Sequence, residues 1–293
     1  MKVTGLKLVG LQSLTLKGLF PFNLMALIFV LLIIGIFTGI VAGIFGIGGG
    51  VLFTPVLFFV FGAAGVEQPV AWTIGTSLFC TFSASLSSSI QQSNQKNSYF
   101  KEGLRVGLFG ATGVYFGKLI STSSFYTEEI FVALFACLLL VVSFMFYKRG
   151  QTRKVMAASQ DAVLLKKSMI SGLGGGIVAS LAGVGGGVVI VPALNLGFKI
   201  DIAKAVSISS LAILIISLSG WLQFAFDSTA GSGATEYTVG FVDFGSGLPL
   251  IIGAFAGGFI GVKAAEKLPQ GKRQLLFSIL SLIVAVMMIY SIL

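Results

Sequence analysis

Apolar residues along the chain are grouped into long segments separated by short polar connections. Four such segments lie in each half of the chain, at 24–45, 70–90, 104–120, 130–146, 169–184, 203–226, 241–262 and 275–292. A helix needs about 20 apolar residues to cross the hydrocarbon core of a bilayer. The pattern therefore predicts eight membrane-spanning or nearly spanning helices.

Two shorter apolar pieces, 51–61 and 188–196, lie between these segments. Each is roughly ten residues, or about 15 Å of helix, which is half of a bilayer. Each also follows a run of three glycines, the first glycine run (Gly48–Gly50) and the second glycine run (Gly185–Gly187). We expect each piece to pair with the preceding segment as a re-entrant hairpin that has the glycine run at its tip.

The two glycine runs belong to an internal repeat. Residues 39–55 read GIVAGIFGIGGGVLFTP and residues 176–192 read GIVASLAGVGGGVVIVP, with ten of seventeen positions identical at an offset of 137. Inside a membrane, a broken backbone is tolerated only where protein buries it or where it lines a polar cavity. Paired interruptions in two halves of a chain indicate the binding site of a transporter.

Composition excludes a soluble protein and leaves few side chains that could serve in catalysis or bind a metal. The mean hydropathy is +1.01, and only 10% of the residues are charged. Histidine is absent, the cysteines Cys80 and Cys137 lie in separate apolar segments, and all ten acidic residues fall in connections or near segment ends. We therefore expect no disulfide, no metal site, no cofactor and no enzymatic activity. The net charge of +9 needs no nucleic-acid partner, because cytoplasmic connections of membrane proteins are rich in Lys and Arg.

The charges of the connections predict the topology. Basic residues concentrate at 96–105, 148–167, 199–204 and 263–273, which we expect in the cytoplasm, whereas the regions of Glu67, Glu128 with Glu129, and 227–236 are acidic or neutral and should face outside. If each hairpin returns to the side that it left, the two halves are inverted and both termini lie outside. Only Lys2, Lys7 and Lys17 favour an internal N-terminus.

The resulting prediction is an all-α polytopic membrane protein built from two inverted repeats. Each repeat is a helical hairpin with a Gly-Gly-Gly tip plus three transmembrane helices. The boundaries place an interfacial tail at 1–23, the first repeat at 24–147, a cytoplasmic linker at 148–167 and the second repeat at 168–293.

Neutral hydrogen-bond donors are the candidate binding groups. Glycine lets an anion approach backbone N–H groups without a Cβ in the way. Hydroxyls can donate to an anion without the cost of burying a lysine. The predicted binding residues are Gly48, Gly49, Gly50, Thr76, Ser77, Gly185, Gly186, Gly187, Ser209 and Ser210, with Cys80, Asn195 and Gln223 as further candidate contacts. Two alternatives stay open: the glycines allow close helix packing, and the polar side chains form structural hydrogen bonds between helices.

The glycine pattern also carries a resemblance to a known family. The motif G-x-x-x-G-x-x-G-x-G-G-G, an apolar run and a proline occur in both halves, together with Thr-Ser-Leu at 76–78 and Ser-Ser-Leu at 209–211. These motifs resemble those of the TauE/SafE sulfite exporter family, also called the TSUP family. Ser180 replaces the glycine found at Gly43, and Ser209 replaces Thr76.

The resemblance implies a multi-pass carrier of the bacterial inner membrane. Its expected substrate is a small sulfur-containing oxyanion such as sulfite or an organosulfonate, exported by alternating access, with the lipid bilayer as its surroundings. An anion channel, or a carrier of another small organic anion, is the alternative. The oligomeric state stays open.

Overall fold

The computed structural model describes residues 24–45, 50–93, 99–151 and 165–292. The described chain is mostly helical, as expected for an all-α membrane protein. The predicted tail 1–23 and residues 152–164 of the predicted linker 148–167 lie outside the described residues. The described helices are α1 Leu24–Phe45, α2 Gly50–Ala64, α3 Pro69–Ser93, α4 Phe100–Ser121, α5 Glu128–Gln151, α6 Leu165–Ala182, α7 Gly187–Pro192, α8 Ile202–Ala225, α9 Phe244–Glu266 and α10 Gln270–Tyr290.

Two small departures from α-helix occur in the second half. A single π-helical turn, Ala193–Gly197, extends α7. Between α8 and α9, the strands β1 Thr238–Val239 and β2 Val242–Asp243 pair as an antiparallel hairpin. This hairpin directs the chain into the first turn of α9.

A helix lies at each of the eight predicted long segments, but five are by themselves long and apolar enough to cross a membrane. These five spans are Met25–Ile44, Glu128–Tyr147, Lys204–Ala225, Phe244–Gly261 and Gly271–Tyr290. The helices α3, α4 and α6 are less apolar than these five. Helix α3 is rich in hydroxyls, α4 contains four charged residues, and α6 has seven glycines and serines among its 18 residues besides two lysines. Neighbouring helices cover much of α3 and α6, which reduces their need for apolar side chains.

Close packing at glycines joins the halves of the chain. Helix α1 packs along α9, and α4 packs along α6. A Cβ added at Gly39 would stand 2.1 Å from the carbonyl oxygen of Ala254, and one at Gly113 would stand 2.4 Å from that of Leu173. Only glycine permits such contacts between backbones. In both pairs the successive contacts advance in the same direction along the two helices, so each pair is parallel.

Two further pairings complete the bundle. Helices α3 and α8 pack on each other near its centre, and α5 packs on α10. The hydroxyl of Ser143 in α5 donates to the carbonyl of Ser278 in α10 at 2.9 Å. Each pairing again joins the first half of the chain to the second.

Acidic connections meet at one end of the bundle, which we call the acidic end (residues 65–68, 122–127 and 226–243). Lys118, in the last turn of α4, forms an ion pair with Asp227 just after α8, at 2.7 Å. Glu67 lies beside Gly231 of the α8–α9 connection. Helices α3 and α9 begin at this end, while α4 and α8 finish there.

Basic residues meet at the opposite end, which we call the basic end. The ammonium of Lys204, near the start of α8, lies 4.8 Å from the ring centre of Tyr99, which immediately precedes α4. The ammonium of Lys167, near the start of α6, lies 5.7 Å from the ring of Phe198. The predicted acidic and basic connections thus occupy different ends. Which end faces the cytoplasm stays a prediction.

Candidate functional site

The connection from α6 to α7 contacts the hydroxyl face of α3. The hydroxyl of Ser77 donates to the carbonyl of Gly183 at 2.8 Å, and the hydroxyl of Thr54 in α2 lies 3.3 Å from Ser77 Oγ. Thr54 and Ser77 are fully buried. The two halves of the chain therefore meet where the sequence predicts the binding site, at a glycine-rich break next to hydroxyls.

The backbone at the second glycine run needs glycine for two reasons. Gly186 has φ of +78°, in the left-handed region that other residues rarely adopt. A Cβ at Gly186 would also stand 2.5 Å from the carbonyl oxygen of Gly175 in α6. Packing thus explains part of this run, in agreement with the alternative that the sequence left open.

Backbone donors remain unpaired at this break. The N–H of Gly183 donates to Ala179, and the N–H groups of Val189 and Ile190 donate to the carbonyl of Gly186. Between them, the N–H groups of residues 184–186 donate to no acceptor in the described part of the chain. Residues 184–186 are buried. Buried N–H groups without partners are costly, and an anion would satisfy them.

Of the first glycine run, Gly48 and Gly49 lie outside the described residues, whereas Gly50 begins α2. Gly50 is buried. A Cβ there would stand 2.8 Å from Oγ1 of Thr81 and 3.1 Å from the carbonyl oxygen of Val184. The start of α2 therefore lies directly against the second half's break.

Thr76 faces a different neighbour. Its hydroxyl accepts a hydrogen bond from the backbone N–H of Asp243 at 3.0 Å. The Asp243 carboxylate, which is fully buried, accepts hydrogen bonds from the N–H of Ser246 and from the N–H and hydroxyl of Thr235. Thr76 thus supports the residue that caps the start of α9.

Ser209 and Ser210 lie one turn before the contact that α8 makes with the second glycine run. Both hydroxyls donate to the carbonyl of Val206 at 2.9 Å. The α8 side chain beside Gly185 and Gly187 is the apolar Ile213. The hydroxyl pairs of the two halves therefore differ in their surroundings, although the sequence makes them look equivalent.

The three further candidate contacts each have a protein partner. The thiol of Cys80 lies 3.7 Å from the carbonyl of Gly247. The amide of Asn195 donates to the carbonyl of Ile200, and that of Gln223 donates to the hydroxyl of Ser219, both at 2.8 Å. These bonds favour structural roles for the three side chains.

Three residues at this junction are not among the predicted binding residues: Thr54, Thr81 and Tyr126. Tyr126, in the α4–α5 connection, donates to the carbonyl of Leu181 at 2.9 Å, and burial raises the pKa of its phenol. It therefore stays protonated and holds the end of α6. Helical spacing could have indicated Thr81, which lies one turn after Ser77. The chain contains no comparable signal for Tyr126, because its contact depends on tertiary structure.

An ion pair at the acidic end is the second polar feature. Burial by itself would raise the pKa of Asp227, but hydrogen bonds from Lys118 and Thr229 and the Lys118 charge outweigh it and hold that pKa below its usual range. Lys118 also donates to the carbonyl of Gln223 at 2.8 Å. The pair joins the ends of α4 and α8.

Broken helices inside a multi-pass helical bundle are typical of membrane transporters. The family model described as "Sulfite exporter TauE/SafE" matches residues 31–288. The chain therefore belongs to the TauE/SafE sulfite exporter family, and it is a multi-pass membrane protein, as the sequence predicted.

Relatives carry a consistent description. A "probable membrane transporter protein" of Methanocaldococcus jannaschii is 30% identical over 260 residues, covering 88% of this chain and 94% of the relative. One of Haemophilus influenzae is 27% identical over 275 residues, covering 88% and 96%. The Bacillus subtilis protein YdhB is 25% identical over 234 residues, covering 79% and 88%. No solved structure matches the chain.

Proposed function

We propose that this protein exports a small sulfur-containing oxyanion, such as sulfite or an organosulfonate, by alternating access. The proposal rests on one observation above all. The unpaired N–H groups of the buried residues 184–186 lie next to the hydroxyl face of α3. Such a site offers an anion several neutral donors. Its affinity needs no lysine in the membrane, which would be costly to bury.

The proposed binding residues are those of the two glycine runs together with the α3 and α8 hydroxyls: Gly48, Gly49, Gly50, Thr76, Ser77, Gly185, Gly186, Gly187, Ser209 and Ser210. Ser77 and Gly50 have the strongest support, since both lie against residues 183–185. Thr76, Ser209 and Ser210 have weaker support because their hydroxyls bond to Asp243 and Val206, which lie outside the break.

An inverted repeat is the proposed basis of alternating access. The first long helix of each half packs on the third long helix of the other half, as α1 on α9 and α6 on α4. Helix α1 begins at the acidic end, where its parallel partner α9 begins, and α6 begins at the basic end. Both features are expected for halves of opposite orientation, 24–147 and 168–293, that rock against each other.

The basic end is the proposed cytoplasmic side. In a cell with a negative interior, the membrane potential favours exit of an anion by about 2.3 kcal/mol per charge per 100 mV. Efflux therefore needs no coupled proton. A proton-coupled carrier, by contrast, would need Asp, Glu or His within the membrane to relay the proton.

Proteoliposomes loaded with labelled sulfite and potassium test this proposal. On dilution into potassium-free medium, valinomycin makes the lumen negative, and we expect sulfite release without a pH gradient. Protein-free liposomes are the control. Release that needs a pH gradient would contradict uncoupled export. Release that does not saturate, and that external unlabelled sulfite does not accelerate, would indicate a channel instead of a carrier.

A further inference from the structure

Thr81 lies between the start of α2 and the second half's break. It is 2% exposed and stands one helical turn after Ser77 on α3. Its Oγ1 is 2.8 Å from the position of a Cβ at Gly50, while its Cγ2 methyl is 2.6 Å from that of a Cβ at Gly185. The hydroxyl thus points to the start of α2, and the methyl points to the second glycine run.

The hydroxyl of Thr81 is unlike its neighbours. Hydroxyls in helices commonly donate to a carbonyl three or four residues earlier, and Ser83 and Ser85 on the same helix do so. Oγ1 of Thr81 is buried and has no hydrogen-bond partner among the described residues. Most buried hydroxyls have one. This hydroxyl can therefore donate a hydrogen bond to a bound ligand without breaking a bond to another described residue.

The start of α2 can contribute to the same partner. The first N–H groups of a helix have no acceptor within the helix, and they give its N-terminus a partial positive charge. Helix α2 has 15 residues, and Val51 and Phe53 in its first turn are almost fully buried. Hydrogen bonds from a hydroxyl and from backbone N–H groups to an anionic oxygen are short and strong.

We infer that Thr81 is a substrate-binding residue whose hydroxyl, together with the first turn of α2, binds one oxygen of a small oxyanion. This inference rests on the proposed function and assigns a side chain that the repeat does not indicate. Aligning Thr76–Leu78 with Ser209–Leu211 places Leu214 at the position of Thr81. The subsite therefore belongs to the first half alone, and it makes the binding site asymmetric.

Calorimetric titration of the purified full-length protein with sodium sulfite tests the inference. We expect Thr81→Val to weaken sulfite binding at least tenfold, and Thr81→Ser to stay within about threefold of the wild type. Without sulfite, Thr81→Val should melt at the same temperature or higher, because an isosteric methyl replaces an unpaired hydroxyl. A loss of sulfite affinity in Thr81→Val without a lower melting temperature would show that Thr81 acts in binding and not in stabilising the fold.

Thr73→Val is the matched control. Thr73 is also fully buried on α3 with its hydroxyl unpartnered among the described residues, but it lies two turns earlier, about 12 Å along the helix. Its replacement should leave sulfite binding unchanged. Gly50→Ala provides a second approach, since its Cβ would close the gap beside Thr81 Oγ1, and we expect a comparable loss of affinity.

The outcomes separate the two proposals. If the wild type binds sulfite and Thr81→Val binds it equally well, the Thr81 subsite is wrong while the export proposal stands. If Thr81→Val fails to fold, normal sulfite affinity in Gly50→Ala overturns the subsite. If the wild type binds neither sulfite, thiosulfate nor sulfoacetate, the proposed function fails and the subsite fails with it.

Discussion

At the scale of single residues, Asp243 is the acidic side chain whose replacement should matter most for stability. Its buried carboxylate accepts two backbone N–H groups and one hydroxyl. Asparagine would direct its own NH₂ group at one of these donors. We expect Asp243→Asn to lower the free energy of unfolding by about 1–3 kcal/mol, measured by thermal unfolding in detergent. Glu236→Gln changes an exposed carboxylate of the same connection and should have little effect.

Gly186 and Gly174 form a pair for testing the packing of the second glycine run. Gly186→Ala places a Cβ against the backbone of Gly175 at positive φ, and the φ alone costs about 1–2 kcal/mol. At Gly174, within α6, a Cβ meets nothing within 4 Å, and alanine should be neutral or stabilising by up to about 1 kcal/mol. Thermal unfolding of both variants measures the difference in their stability. Equal melting temperatures would contradict the close contact between α6 and α7.

The sequence indicated glycines and hydroxyls as candidate binding groups but not which neighbour each of them contacts. Helical spacing places Thr76, Ser77 and Cys80 on one face of α3, yet Ser77 meets Gly183 while Thr76 meets Asp243. Two neighbours on one helical face can thus contact different helices. Spacing along one helix cannot specify which helix packs on which part of its face.

At the scale of helices, the Lys118–Asp227 pair should make the association of α4 with α8 sensitive to acid. Because the pKa of Asp227 is lowered in the folded protein, its stabilising contribution is fully present above the ordinary carboxyl pKa of about 3.9. It is lost as the pH falls through the lowered value. The difference in melting temperature between wild type and Asp227→Asn should therefore stay constant from pH 7 to about pH 4 and shrink as the pH is lowered further.

Glu67→Gln is the control for this pH series. Glu67 is an exposed carboxylate at the same end of the bundle, and its replacement should not reproduce the pattern. A wild-type advantage over Asp227→Asn that does not shrink at all between about pH 4 and the lowest pH at which both proteins fold would mean that the ion pair does not stabilise this end.

The positions of the long helices were easier to predict than which of them are apolar enough to cross a membrane. All eight long segments are helical. Hydropathy alone identifies five spans, because α3 and α6 gain much of their cover from protein instead of lipid and α4 contains four charged residues. Glycine and hydroxyl content lowers the hydropathy of those helices and also allows the close contacts that cover them.

At the scale of the whole molecule, the proposed topology predicts which residues can be labelled from outside. Gly231→Cys, at the acidic end, should react in intact cells with a membrane-impermeant maleimide, whereas Lys267→Cys should react only after the membrane is opened. Both variants need Cys80 and Cys137 replaced by alanine. The opposite pattern would reverse the orientation of the bundle.

Because α1 packs on α9 and α4 packs on α6, glycine contacts join helices that are made at very different times during synthesis. Gly39 of α1 meets its partner Ala254 of α9 only after most of the chain has been made. At 5–20 residues per second, the ribosome needs roughly 10 to 40 s to synthesise the intervening chain. During that interval the glycine face of α1 has no native partner, and neither half can complete its packing alone. The nascent first half therefore depends on the insertion machinery or on surrounding lipid to remain competent for assembly.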